Sequence, residues 1–90
     1  MKISFDPAKR LATLTHRGLE MARAVEVFDG PSLTVSSDRG EEPRFFTLGW
    51  LADRMIVMVW TPRDGGRRII SMRIANESEC RRYGPRLVRP

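Results

Sequence analysis

The chain has 90 residues, enough to bury one hydrophobic core and too few for two, so we expect a single domain over residues 1–90. Its apolar share of 41% excludes global disorder, and its longest strongly apolar run, residues 55–60, is far shorter than the roughly 20 residues of a membrane helix. The net charge of +5 is uneven: up to Glu42, six Lys and Arg accompany seven acids, whereas from Pro43 onward ten Arg accompany four acids.

The first half of the chain predicts a short strand followed by a helix. Residues 3–5 are β-rich, Asp6 occupies a helix N-cap position, and Pro7 stands at the first helical position. Gly18 is typical of the residue that follows a helix, so this helix should end near Arg17. Its buried stripe is predicted from helical spacing: Ala8, Leu11 and Leu14.

A second helix is predicted over residues 20–28. Apolar residues recur there at i, i+3, i+4 and i+7, namely Met21, Ala24, Val25 and Phe28. Arg23 and Glu26 then lie on the solvent side of the helix. The segment D-G-P-S at 29–32 ends it.

The second half changes to a period of two, which is typical of strands. Four β-rich segments follow with short turns between them: residues 33–37, 44–52, 54–63 and 67–75. This spacing predicts antiparallel hairpins. A short helix from about Asn76 and a basic tail over 84–90 complete the chain. We therefore expect a small α+β domain with two helices packed on one face of a mainly antiparallel sheet.

Arg73 lies inside the last of these strands. Alternation predicts that Ile70, Met72 and Ile74 face the helices, and that Ile69, Ser71, Arg73 and Ala75 share the opposite face. Because a buried, unpaired cation is costly, the face of Arg73 should be open to water or lined by counter-charges.

Two arginines of neighbouring strands are expected on the face of Arg73. Arg63 ends one strand and Arg44 begins the strand before it. Together the three cations would form an anion site. The alternative is a structural ion pair between Arg73 and Glu77 or Glu79.

The kind of cation is informative too. Fourteen of the sixteen cations are arginine, whose planar guanidinium binds phosphate through two hydrogen bonds. With the uneven charge this favours a nucleic-acid partner, although codon bias in a GC-rich genome would also enrich arginine over lysine. His16 and Cys80 are the only soft metal ligands, so we expect neither a metal site nor a cofactor. The lone Cys80 fits a reducing, cytoplasmic setting.

Several short motifs occur in a fixed order. They are F-D-P-A-K at 5–9, G-L-E-M-A at 18–22, V-F-D at 27–29, L-G at 48–49 after Arg44, V-x-V-W-T-P-R at 57–63, R-R-I-I-S-M-R-I-A at 67–75 and E-C-R-R-Y at 79–83. In order and spacing they resemble the BrnT toxins of bacterial type II toxin–antitoxin systems, which are similar in fold to the RelE ribonucleases. One departure is at the end of the first helix, where the family commonly reads K-H-G and this chain reads H-R-G.

The resemblance implies a RelE-like fold and a metal-independent endoribonuclease that cuts messenger RNA and arrests growth. The implied reaction is attack of a 2′-hydroxyl on the adjacent phosphate, which leaves a 2′,3′-cyclic phosphate. The implied site residues are Arg63, Arg73 and Tyr83 for catalysis and Arg44, Arg68 and His16 for RNA binding. Because arginine stays protonated at neutral pH, the proton-transfer candidates are Tyr83, Glu42 and His16.

Each candidate also has a structural interpretation. Tyr83 is often a packing residue at a helix end, and His16 is explained by the dipole of the first helix. Arg63 and Arg68 flank a turn, where solvated arginines are common. If these interpretations hold, the chain is a non-catalytic adaptor that uses the same basic face to bind RNA or an acidic protein segment.

The resemblance further implies a partner. It is a BrnA-like ribbon-helix-helix antitoxin, expected in a 2:2 heterotetramer, with operator DNA bound only through the antitoxin. The exposed arginine surface would be covered by this partner, whose acidic and apolar groups complement it.

Overall fold

The fold is built on one mixed β-sheet. The computed structural model describes residues 1–37, 40 and 42–87, and among these five strands are found: β1 Ile3–Phe5, β2 Ser32–Ser37, β3 Arg44–Leu51, β4 Arg54–Arg63 and β5 Gly66–Ile74. Their order in the sheet is β1-β5-β4-β3-β2, with β1 parallel to β5 and every other described pair antiparallel. The prediction of an α+β domain with a mainly antiparallel sheet is confirmed. Part of the predicted turn before β3 and residues 88–90 of the predicted tail lie outside the described residues.

The first and last helices begin where the sequence predicts, whereas the predicted second helix is a 3₁₀ turn followed by a shorter α-helix. Helix α1 spans Pro7–Arg17, a 3₁₀ turn at Met21–Arg23 leads into α2 at Ala24–Asp29, and α3 spans Glu77–Tyr83. Asp6 caps α1 by accepting a hydrogen bond from the amide of Ala8 at 2.8 Å, and Gly18 ends it with a φ of 67°. Asn76 and Glu79 form a capping box at the start of α3. In the described part of the chain, every helix is too short or too polar to span a bilayer.

The main core lies between the sheet and α2 with the 3₁₀ turn. Its fully buried members are Met21, Ala24 and Val27 from the helical side and Ile56, Met58, Ile69 and Met72 from the sheet. Trp60 closes one end of this core, with its ring stacked on Phe45 at 4.8 Å between centroids. α2 packs close to the sheet because β3 carries Gly49 there, where a Cβ atom would lie 2.8 Å from Val27 Cγ1.

The prediction for the buried stripe of α1 is wrong. Leu11 and Leu14 are 62% and 39% exposed, and Thr13 is the buried residue of the helix. Polar contacts hold α1 in place: Arg17 donates to the carbonyl of Met72 at 2.8 Å, and Arg10 forms an ion pair with Glu20. The helix therefore leaves its apolar stripe in solvent.

One further face assignment differs from the prediction, and one residue on the predicted face is more exposed than expected. Trp60 pairs with Ile69 but Val59 pairs with Ser71, so β5 carries one extra residue at this bulge and strict alternation fails there. Ile69 consequently lies in the helix-side core rather than beside Arg73. Ile74 lies on the helix side as predicted, opposite Ile56, but it is 47% exposed because it lies beyond the last pairing of β1 with β5.

The second helix also buries a different valine. Val27 is fully buried, and Val25 is only partly so. The 3₁₀ turn at Met21–Arg23 has a tighter period than an α-helix, which rotates the residues after it relative to the predicted face. Arg23 and Glu26 lie on the solvent side as predicted, and they form an ion pair there.

Candidate functional site

The sheet face opposite α1 and α2 carries most of the candidate residues. We call it the arginine face. Cross-strand pairing places Phe46 opposite Val59 and Val35 opposite Phe46, and these three form its apolar floor. The same alternation puts four arginines on this side: Arg44, Arg63, Arg68 and Arg73. Val35 and Phe46 are exposed although they are apolar.

A pocket of about 210 Å³ opens at one end of the arginine face. All four strands from β2 to β5 and α3 contribute to its lining, which consists of Val35, Phe46, Leu48, Val57, Arg73, Glu79 and Tyr83. Glu79 and Tyr83 are four residues apart and therefore share one face of α3. The pocket thus brings together a cation, a carboxylate and a phenol hydroxyl.

The cation and the carboxylate of this pocket are already paired. Arg73 donates two hydrogen bonds to Glu79, at 2.7 and 2.9 Å. Glu79 also accepts the backbone amide of Asn76 at 2.9 Å, so the capping box holds the carboxylate in position. The hydrogen bond from Arg73 is the main cause that lowers the pKa of Glu79, and the same bond raises the pKa of Arg73. The structural ion pair considered for Arg73 is therefore confirmed, with Glu79 as its partner.

Arg63 lies at the other end of the face. It ends β4 and donates to Glu42 at 2.7 Å, and this bond lowers the pKa of Glu42. Arg73 of β5 pairs across the sheet with Val57 of β4. Val57 lies six positions before Arg63 in β4, so the two arginines are about 20 Å apart. In their present ion pairs they do not meet at one phosphate. Glu42 is equally remote from the pocket.

Arg44 and Arg68 accompany Arg63 rather than Arg73. Arg68 pairs across the sheet with Thr61, two residues before Arg63, and Arg44 begins the strand on the other side of β4. Thr61 is buried and donates to the carbonyl of Pro43 at 2.6 Å, which ties the start of β3 to β4. The structure therefore divides the arginine face into a pocket end with Arg73 and a basic end with three arginines.

His16 lies away from the arginine face. It stands in the last turn of α1 and lines a separate cleft between that helix and β5. Of the six candidate residues, Arg73 and Tyr83 meet in one pocket, three arginines gather at the basic end, and His16 belongs to neither group. Among the described residues, no three His, Cys, Asp or Glu side chains are grouped to hold a metal ion.

Comparison with known families shows the class of the protein. The sequence model of a family described as "Ribonuclease toxin, BrnT, of type II toxin-antitoxin system" matches residues 5–79. The chain belongs to the BrnT family. As a BrnT protein it is a ribonuclease toxin at the level of the family, which implies an RNA substrate and an antitoxin partner. No curated protein and no solved structure among those compared gives a significant match.

The BrnT match covers all but one of the candidate residues. Tyr83 lies four residues beyond its end, whereas Glu79 is its last matched residue. The sequence had offered Glu79 only as a structural partner of Arg73, although its spacing of four from Tyr83 already places both on one helix face. Phe46 was missed as well. The sequence did contain a signal for it, because Phe46 lies between Phe45 and Thr47 in a strand. Side chains alternate along a strand, so when Phe45 packs on the main core the adjacent Phe46 lies on the other face.

Proposed function

We propose that this BrnT protein is a cytoplasmic endoribonuclease that cuts messenger RNA on its arginine face without a metal cofactor. The observation that carries the proposal is the pocket at Arg73, where a guanidinium, a carboxylate and a phenol line an apolar floor at the edge of a basic surface. A single-stranded substrate fits this arrangement, since aromatic groups interleaved with cations are typical of surfaces that bind unpaired RNA.

The proposed reaction is transfer of the phosphate from the 5′-oxygen of the next nucleotide to the neighbouring 2′-oxygen. Arg73 binds the scissile phosphate and stabilises the charge that develops on its oxygens. Tyr83 donates its proton to the departing 5′-oxygen, and the products are a 2′,3′-cyclic phosphate and a 5′-hydroxyl. The basic end, with Arg44, Arg63 and Arg68, holds neighbouring phosphates and positions the strand.

Glu79 is the proposed acceptor of the 2′-hydroxyl proton. In the free protein its pKa is lowered, chiefly by the hydrogen bond from Arg73, which makes it a weak base. A phosphate that binds Arg73 competes for the same guanidinium N–H groups. Loss of that hydrogen bond removes the main cause of the lowered pKa, so substrate binding strengthens Glu79 as a base. A proton returned through solvent from Glu79 to Tyr83 completes the cycle.

The test is cleavage of a labelled single-stranded RNA by the purified protein in excess EDTA. We expect cleavage to persist and the products to carry 2′,3′-cyclic phosphate ends. Arg73→Ala should slow cleavage by roughly 100-fold or more, because it removes a charge that acts in the transition state. Tyr83→Phe should slow it as well, without a change in fold.

Arg81→Ala is the matched control. Arg81 lies on the same helix as Tyr83, is largely exposed, and makes only a 3.3 Å contact with Glu77. The Arg81→Ala variant should cleave RNA like the wild type. Cleavage that stops in EDTA and returns with Mg²⁺ would contradict the metal-independent reaction, and full activity of folded Arg73→Ala would remove Arg73 from the site.

We propose that the antitoxin is a ribbon-helix-helix protein that covers the arginine face in a 2:2 complex and that alone contacts operator DNA. Support comes from the two exposed apolar residues of the face, Val35 and Phe46, which lie among its arginines. A partner with acidic and apolar side chains complements both features. The stoichiometry of that complex is measured directly by mass analysis of the co-purified pair.

A second function, RNA binding without cleavage, has two observations in its favour. Arg63 and Arg73 are both neutralised by carboxylates in the free protein, and His16 lies away from the pocket. An adaptor would need only the arginines and the apolar floor. Binding of RNA at an affinity unaffected by Tyr83→Phe, with no cyclic-phosphate product at any protein concentration, would favour this alternative.

A further inference from the structure

A cleft of about 290 Å³ lies between α1 and β5, outside the arginine face. Lys9, Thr13, His16 and Arg17 line it from α1, at spacings of four, seven and eight residues that put them on one side of the helix. Ile70 and Ser71 line it from β5, and Ala12 and Met21 add to its apolar surface. We call it the α1 cleft.

Among the described residues, no carboxylate neutralises the charges of the α1 cleft. Five arginines of the described chain form ion pairs with glutamates: Arg10, Arg23, Arg63, Arg73 and Arg81. In contrast, no described acid pairs with Lys9, His16 or Arg17. Arg17 gives one guanidinium N–H to the carbonyl of Met72, and no acidic side chain in the described part of the chain lines the cleft. Two cations and an imidazole that line one cleft without a described carboxylate are suited to an anion with several oxygens.

The α1 cleft adjoins the arginine face through β5. Ser71 lines the cleft and pairs across the sheet with Val59 of the apolar floor, and Arg73 is two residues further along, about 7 Å away. β1 pairs with β5 only from Arg67 to Ile69, so no described strand covers this edge beyond Ile69. One single strand of RNA can therefore contact both surfaces by passing over the edge of β5.

We propose that the α1 cleft is a second phosphate site, which binds the RNA backbone after the strand leaves the pocket at Arg73. The proposal rests on the proposed function for its ligand. RNA is favoured over an acidic protein segment because Lys9, His16 and Arg17 line the cleft without a described carboxylate and because the cleft continues the substrate surface. The site adds affinity for long strands and takes no part in the reaction.

The variant that tests it is Lys9→Ala/His16→Ala, in which two exposed side chains are removed and Arg17 keeps its bond to Met72. Binding is measured with a labelled 2′-O-methyl single strand, which lacks the attacking hydroxyl and stays intact. We expect roughly tenfold weaker binding. The slope of log affinity against log salt should fall by about 0.7 for each phosphate that the variant no longer binds. Arg23→Ala, which removes a cation from the helical side outside the cleft, is the control. It should change the affinity and the salt slope far less.

A dinucleotide substrate separates this site from the reaction. It has one phosphate and occupies only the pocket, so the double variant should cleave it like the wild type while cleaving long RNA less efficiently at low concentration. Unchanged affinity and salt slope would overturn the proposal, as would equal losses on the dinucleotide and on long RNA. Weaker antitoxin binding with unchanged RNA binding would assign the cleft to the protein partner and also overturn it. If the wild type cuts neither substrate but the double variant still binds the strand more weakly, the proposed reaction fails and the phosphate site stands.

Discussion

Glu79 has three roles that depend on one carboxylate. It caps α3 through the amide of Asn76, it neutralises Arg73, and in the proposed reaction it accepts the 2′-hydroxyl proton. The sequence placed Arg73 on the correct face, because alternation in β5 holds again after the bulge. It left the counter-charge open between Glu77 and Glu79, since both are near in sequence. The helical start at Asn76 decides the matter by turning only Glu79 toward the strand.

Glu79→Gln is expected to separate these roles. Glutamine still fits the capping box, so α3 keeps its start while the charge is removed. Because the glutamine competes less strongly for Arg73, the variant should bind a 2′-O-methyl strand more tightly and yet cleave RNA more slowly. Glu77→Gln, which removes an exposed carboxylate from the same turn, is the control and should change neither. Faster cleavage by Glu79→Gln would show that Glu79 only blocks Arg73.

The pair also predicts a pH dependence of stability. Arg73 lowers the pKa of Glu79 in the folded state, so the unfolded chain binds more protons at acid pH. The stabilisation of the folded state by this pair is complete at neutral pH. It is lost as the pH falls from about 4.3, the ordinary pKa of glutamate, through the lower pKa of Glu79 in the folded state. Urea unfolding at pH 7 should show Glu79→Gln less stable by up to about 1 kcal/mol, a small cost because Arg73 is partly exposed. The difference should vanish in strong acid, and a constant difference at all pH values would contradict this linkage.

At the scale of elements, the sequence predicted what local chemistry determines. The N-cap at Asp6, the end of α1 at Gly18 and the bounds of β4 are all confirmed. The prediction of which face α1 buries was wrong, because helical periodicity shows that an apolar stripe exists but not which neighbouring element covers it. In this fold α1 lies against β5 where β5 no longer pairs with β1, and polar contacts such as that of Arg17 with Met72 replace apolar packing there. The bulge in β5 likewise has no local signal.

The contact between α2 and the sheet depends on Gly49. A Cβ atom at this position would lie 2.8 Å from Val27 Cγ1 and 3.2 Å from the carbonyl oxygen of Pro31. Gly49→Ala should therefore lower the free energy of unfolding by about 1–3 kcal/mol, as overpacking does in other cores. Gly30→Ala is the control, since its Cβ would make only ordinary contacts of 3.6 Å or more. Equal stability of the two variants in urea would show that α2 can shift away from β3 at little cost.

At the scale of the whole molecule, the uneven charge of the sequence becomes a division of surfaces. The arginine-rich second half supplies β3, β4 and β5, and therefore most of the arginine face. Composition indicated a nucleic-acid partner, but it did not show that the arginines would divide into a pocket end and a basic end. That division follows from the strand register, because the residue of β4 that lies opposite Arg73 is six positions before Arg63.

Two exposed apolar patches compete as the docking surface for the antitoxin. One is the floor of the arginine face, where Phe46 is 37% exposed, and the other is the stripe of α1, where Leu11 is 62% exposed. The arginine face is favoured because it combines apolar area with a cluster of cations. A charged partner should then associate more slowly as salt rises, while its apolar contacts keep the complex together.

The matched variants Phe46→Ala and Leu11→Ala decide between these patches. If the antitoxin covers the arginine face, Phe46→Ala should weaken binding about tenfold or more, as removal of a buried aromatic anchor does, and Leu11→Ala should have little effect.

The same geometry requires competition: a stoichiometric complex should neither bind a 2′-O-methyl strand at the pocket nor cleave RNA, and added RNA should slow its formation. The measurement is a titration of antitoxin into toxin and labelled RNA, followed by affinity and by cleavage. An intact complex that cleaves at the full rate, or a larger decrease of affinity in Leu11→Ala, would place the antitoxin on the helical side and leave the arginine face free for RNA.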